Sequence, residues 1–140
     1  MMDRVRRYKQ KMDFIVNKVN DIPDDFDSSL KVDATLYRIQ TAIESAMDII
    51  AMLTKDVGKE VGDDYSNINQ LHKAGLYEKG FAAKLISIIG LRNAIVHKYN
   101  SFEESSVIDN IDEIKDILIQ LLEYAENKTK TIFKNDKKRT

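Results

Sequence analysis

Apolar residues recur along this 140-residue chain at the three- and four-residue spacing of a helix, and no segment of similar length alternates with the two-residue period of a strand. In the first segment, about residues 4–20, Tyr8, Met12, Ile15, Val16 and Val19 mark one face. It stops before Asp21-Ile22-Pro23-Asp24-Asp25, because Pro23 cannot continue a helix and biases Ile22 away from helical geometry. A second helix is expected from Ser28 or Ser29, either of which can cap it, to about Lys55. Its seam is Leu36, Ile39, Ile43, Ala46, Ile50 and Leu53, and a second apolar edge comprises Ala42, Met47, Ile49 and Met52. A helix apolar on more than one side belongs in the middle of a bundle or at a dimer contact.

Residues 55–64, with two glycines among charged neighbours, read as a loop. A short helix over about Tyr65 to Ala74 is ended by Gly75. The next, about Glu78 to Val96, carries Phe81, Leu85, Ile88 and Ile95 on one face. Gly90 inside it costs about 1 kcal/mol relative to alanine, which predicts a closely packed neighbour there. Ser101 and Glu104 have the form of a capping box, opening one long last helix to about Lys128 along Val107, Ile111, Ile114, Leu118, Leu121 and Ala125. The expected fold is all-α, an antiparallel bundle of four to five helices in a single domain over residues 1–128. Residues 129–140 are expected to form a frayed basic tail.

Composition narrows the picture. Five glycines and one proline leave little turn chemistry for an all-β fold. The absence of cysteine removes disulfides, thiolate zinc sites and cysteine nucleophiles together. No apolar run approaches a membrane span and the first residues lack the apolar core of a secretory signal, so a cytoplasmic protein without a membrane partner is expected. Net charge is −1, but residues 3–11 carry +4 and residues 128–140 carry +5, leaving −10 for the rest. Two basic ends can meet a phosphate backbone if the fold brings them together.

Metalloprotease, Walker, nucleophile-elbow and EF-hand motifs are absent. With His72 and His97 the only histidines, no metal site and no cofactor are expected. His72, on the short helix, is assigned no role. One cluster stands apart: Leu91-Arg92-Asn93-Ala94-Ile95-Val96-His97-Lys98-Tyr99. At about 100° per residue, Arg92 and Tyr99 differ by about 20° and Asn93 and His97 by about 40°, whereas Arg92 and His97 lie about 140° apart. Either the helix ends between them or two copies of the motif face each other. An arginine and a histidine without a metal suit cleavage of RNA. The imidazole takes the 2′-hydroxyl proton or protonates the leaving oxygen, and the guanidinium grips the phosphate. Asn93 can orient the imidazole or the phosphate, and Tyr99 can hydrogen-bond or stack on a base. A helix-end histidine satisfied by a carboxylate or carbonyl is the structural alternative.

The Arg-x4-His-x-Tyr pattern of Arg92, His97 and Tyr99 resembles the HEPN superfamily, and within it the HepT-like toxins. RYKQKMDFI, LYRIQTAIESAMDI, DDYSNINQLHKAGLY and IGLRNAIVHKY follow that family's order, so the resemblance covers residues 5–125. It implies a bundle that dimerises through the helices next to the motif, lining one cleft with two motifs. It further implies a metal-independent ribonuclease, the toxin of a type II-like toxin–antitoxin pair, with Arg92 and His97 catalytic and Asn93 supporting. The implied antitoxin is an MntA-type nucleotidyltransferase that transfers AMP to Tyr99. Arg38 and Glu44, on the otherwise apolar second helix, are expected to form a buried pair or line the cleft. The rival reading is a non-catalytic, nucleotide-binding partner subunit of a nucleotidyltransferase.

Overall fold

The first helix, α1 (Met2–Asn20), buries Tyr8, Ile15 and Val19 against α2 (Ser29–Asp56). Arg4 pairs with Asp56, Lys11 with Asp48, and the Lys18 ammonium lies over the Tyr37 ring. Ascending positions on α1 thus meet descending positions on α2, and the two helices are antiparallel. The computed structural model describes residues 2–97 and 104–134. Among them are six helices and no strand.

Of the two candidate caps, Ser28 serves: its Oγ accepts from the Lys31 N–H at 3.2 Å. Both apolar edges of α2 are buried, and the helix touches every other helix, so it occupies the middle of the bundle as its pattern predicts. It closes through Gly58, at φ 85°, where the Gly58 and Lys59 N–H groups donate to the Lys55 and Thr54 carbonyls. Asp63 caps α3 (Asp64–Lys73) by accepting from the Ser66 N–H at 2.8 Å. Buried Asn67 meanwhile exchanges two hydrogen bonds with the Gly62 backbone. The α3 helix ends at Gly75, φ 85°, in the same paired-bond motif as α2.

Next, α4 (Lys79–Val96) buries Phe81, Leu85, Ile88, Ile89 and Ile95. The neighbour expected at Gly90 is not found among the described residues: Gly90 is exposed, and a Cβ built there would meet none of them within 4 Å. The single last helix is two, α5 (Glu104–Ile108) and α6 (Ile111–Ile132). At the break the Asn110 side chain donates to the Ser106 carbonyl at 2.7 Å, offering the backbone an alternative to helical continuation. Ser101, the expected cap, lies outside the described residues.

Past Lys128 the chain stays helical to Ile132 instead of fraying. The reason is apolar: Phe133 is buried, its ring 6.1 Å from that of Tyr8. This contact brings the described part of the C-terminal basic run, as far as Lys134, beside the N-terminal one. Arg4, Lys11 and Lys130 are each matched locally, by Asp56, Asp48 and Glu126. Among the described residues no helix is long and apolar enough to cross a membrane.

Tyr8 ties this end of the bundle. Its hydroxyl donates to Asp56 Oδ2 at 2.6 Å, and Arg4 Nε donates to the same oxygen at 2.9 Å. Burial first, then the Asp56 carboxylate, push the phenol far above the ordinary tyrosine value, and burial does the same to Tyr77. Above about pH 10 the unfolded chain releases protons that the folded chain keeps, so stability falls as pH rises. Tyr8→Phe is expected to make that alkaline fall shallower, with Tyr77 still contributing. At neutral pH it costs about 1–3 kcal/mol for the lost bond to a charged acceptor. Urea denaturation across pH checks both. Gly90→Ala is expected to stabilise by about 0.5–1 kcal/mol in the same assay; a loss would mean that Gly90 is packed against in solution.

Candidate active site

Buried Ile95 and half-buried Leu91 hold the last turn of α4 on the core, leaving Asn93 on the exposed side and Arg92 partly covered. The helix ends at Val96. His97 is its cap, at φ −107° and ψ 34°, its N–H donating to the Asn93 carbonyl at 3.0 Å. Every residue between Arg92 and His97 is helical, and the backbone departs from helical geometry only at His97 itself, whose imidazole is exposed. Tyr99 lies outside the described residues.

Arg92 is held from two directions. Its Nε donates to Asn93 Oδ1 at 2.9 Å, and its Nη2 donates to Asp64 Oδ2 at 3.1 Å. The Arg92 and Asp64 side chains keep 20% and 31% of their exposure, so the pair sits at a wetted margin rather than in the core. Asp64 opens α3, 28 residues before Arg92, and its role is not apparent in the sequence, where it reads as the end of a loop. The available signal is the Asp63-Asp64 doublet. Asp63 caps the helix, so Asp64 has no capping duty.

Arg38 and Glu44 do not form the expected buried pair. Arg38 is partly exposed and faces Asp21, Nη1 to Oδ2 at 3.9 Å, while Glu44 accepts from Gln40 Nε2 at 3.0 Å on its own helix. Glu44 also lines a shallow cavity between α1 and α2 with Lys11, Phe14 and Asp48. A 28-residue helix has room for polar positions at the edges of its apolar faces, and both residues use them. His72 is structural: its Nδ1 lies 2.9 Å from the Tyr77 carbonyl, which can only accept, so Nδ1 carries the hydrogen. Among the described residues no group of three or more histidines and carboxylates is placed to hold a metal ion.

Residues 4–125 match the profile of a family described as "HepT-like: Ribonuclease HepT-like". An Archaeoglobus fulgidus protein described as "Putative RNase" is 38% identical over 124 residues, 89% of this chain and 94% of its own. Two solved structures share the fold. One, described as the toxin-antitoxin MntA-HpeT mutant, superposes with a TM-score of 0.77 at 15% identity, over 86% of this chain and 98% of its own. The other is a tri-AMPylated Shewanella oneidensis HEPN toxin in complex with MNT antitoxin, with a TM-score of 0.67 at 16% identity, over 90% and 96%.

A partly exposed ion pair contributes about 0–1 kcal/mol. Arg92→Ala is therefore expected to lower the unfolding free energy by no more than that, measured by urea denaturation. A larger loss would make Arg92 a structural residue first.

Proposed function

This chain belongs to the HepT-like ribonuclease family, and on that premise we propose that it is a metal-independent RNA endonuclease, the toxin of a type II-like toxin–antitoxin pair. The observation that carries the reading is the seating of Arg92 and His97: a guanidinium anchored on the last turn of α4 and an exposed imidazole at its cap. In the proposed reaction His97 removes the proton of a 2′-hydroxyl, and O2′ attacks the adjacent phosphorus. The bond from phosphorus to O5′ breaks, leaving a 2′,3′-cyclic phosphate. A protonated imidazole gives O5′ its hydrogen. A homodimer lining one cleft with two motifs would supply one imidazole for each transfer. Arg92 donates to the non-bridging oxygens and offsets the charge that grows on them in the transition state. Asn93, bonded to Arg92 Nε, supports that group. DNA lacks the attacking hydroxyl, so the mechanism selects RNA.

The fold shared with toxin–antitoxin complexes, one of them AMPylated, supports an MntA-type nucleotidyltransferase as the partner. In the proposed control step the Tyr99 oxygen attacks the α-phosphorus of ATP. Pyrophosphate leaves, and the phenolic proton passes to solvent. The phosphate added two residues from His97 would repel RNA and compete for Arg92.

Purified protein whose Tyr99 is shown by mass spectrometry to be unmodified is expected to cut RNA in excess chelator, and His97→Ala to abolish the cut. Inactivity of both on several RNA classes would instead favour a nucleotide-binding partner subunit, and equal activity in both would point to a contaminant.

A further inference from the structure

We infer that Asp64 is a positioning residue for Arg92, holding the guanidinium so that its far end faces a substrate phosphate. The inference rests on the ribonuclease reading for its chemistry and on geometry for everything else. An arginine side chain has many rotamers, and one that must meet a phosphate in the transition state gains from being held beforehand. Asn93 cannot do this alone, because it sits on the same helix as Arg92 and moves with it. Asp64 belongs to a different helix, and α3 and α4 pack on each other and both on α2. A bond from α3 to the last turn of α4 therefore fixes the guanidinium against the body of the protein.

The choice of atoms matters. Asn93 takes Nε and Asp64 takes Nη2, the two nitrogens along one edge of the guanidinium. Nη1 has no partner among the described residues. The end formed by Nη1 and the remaining Nη2 hydrogen can thus donate a parallel pair of bonds to a phosphate while the side edge stays clamped. Asp64 is suited to the task. Asp63 does the capping, Arg92 is the only side chain that Asp64 bonds among the described residues, and the positive end of the α3 dipole favours a carboxylate in the first turn. A partly exposed pair adds little to stability, so stability alone does not account for it.

Two readouts test the clamp. In single-turnover cleavage of RNA, Asp64→Ala is expected to lower the rate about 10- to 100-fold with little change in substrate affinity. Asp64→Asn, which keeps an acceptor oxygen and leaves α3 undisturbed, should recover most of the loss, and in an Arg92→Ala background Asp64→Ala should cost nothing further. Wild-type rates in Asp64→Ala, or full additivity with Arg92→Ala, would overturn the inference. The second readout needs no activity: hydrogen exchange at Arg92 Nη2, the nitrogen that Asp64 holds, followed by nitrogen-15 NMR, should be slow in the wild type and faster in Asp64→Ala. Equal exchange in the two proteins overturns the clamp. A wild type that cuts no RNA yet shows the exchange difference supports the clamp and refutes the ribonuclease reading instead.

Discussion

The apolar surface of α2 extends around more than one side, and a helix of that kind has to be covered from several directions. Every other helix of the bundle answers this requirement by packing on it. The polar groups carried inside along with α2 are all satisfied. Thr35 and Thr54 donate to carbonyls one turn back at 2.8 and 2.7 Å, and Ser45 donates across to the Lys11 carbonyl at 3.1 Å. The buried hydroxyls therefore bring no unpaired donor into the core, and the helix can be enclosed without a desolvation penalty from them.

Because α3 and α4 share this support, their relative position is fixed well before the chain reaches the candidate site. The link between them is tied at several points. Tyr77 donates to the Ile68 carbonyl at 2.9 Å, and its own carbonyl receives His72. Its ring meets Phe81 and Tyr124 at 5.4 and 5.8 Å, which connects the start of α4 to α6. From there α4 runs as a continuous rod, with Arg92 about 20 Å beyond Lys79 at 1.5 Å per residue. The position of the guanidinium is thus set from the far end of α4 by packing and from the near side by Asp64.

What the chain reveals without coordinates is what is local. The periodicity marks α1 through α4 to within about two residues of their ends, and Ser28 and Gly75 name their own boundaries by side chain and by conformational freedom. The motif spacing likewise singles out Arg92 and His97 and brings the family into view. The break between α5 and α6 escapes, because the apolar phase from Val107 to Ala125 continues straight through it while one Asn110 hydrogen bond redirects the backbone. Ile132 and Phe133 escape because their basic neighbours dominate the composition, although it is the Tyr8 contact that decides their fate. Gly90 invites a packing explanation, and nothing among the described residues supplies it. Asp64 is the most instructive case: its partner lies 28 residues away on another helix, and no local pattern encodes that pairing.

Two arginines in this protein are held in nearly the same way, and the comparison separates anchoring from function. Arg4 likewise commits Nε and Nη2, though with the carboxylate, Asp56, on Nε and the Met52 carbonyl on Nη2. Its guanidinium, however, lies 5.6 Å from the centre of the Tyr8 ring, whose hydroxyl shares the same carboxylate oxygen, so that charge is absorbed into a tie between α1 and α2. Arg92 has the same two-point attachment at a wetted margin, no aromatic ring over it among the described residues, and a histidine capping the same helix. Phosphate chemistry asks an arginine to be immobile and uncommitted at once. Two acceptors along one edge meet the first demand; the second depends on what covers the remaining edge, and there Arg4 and Arg92 part.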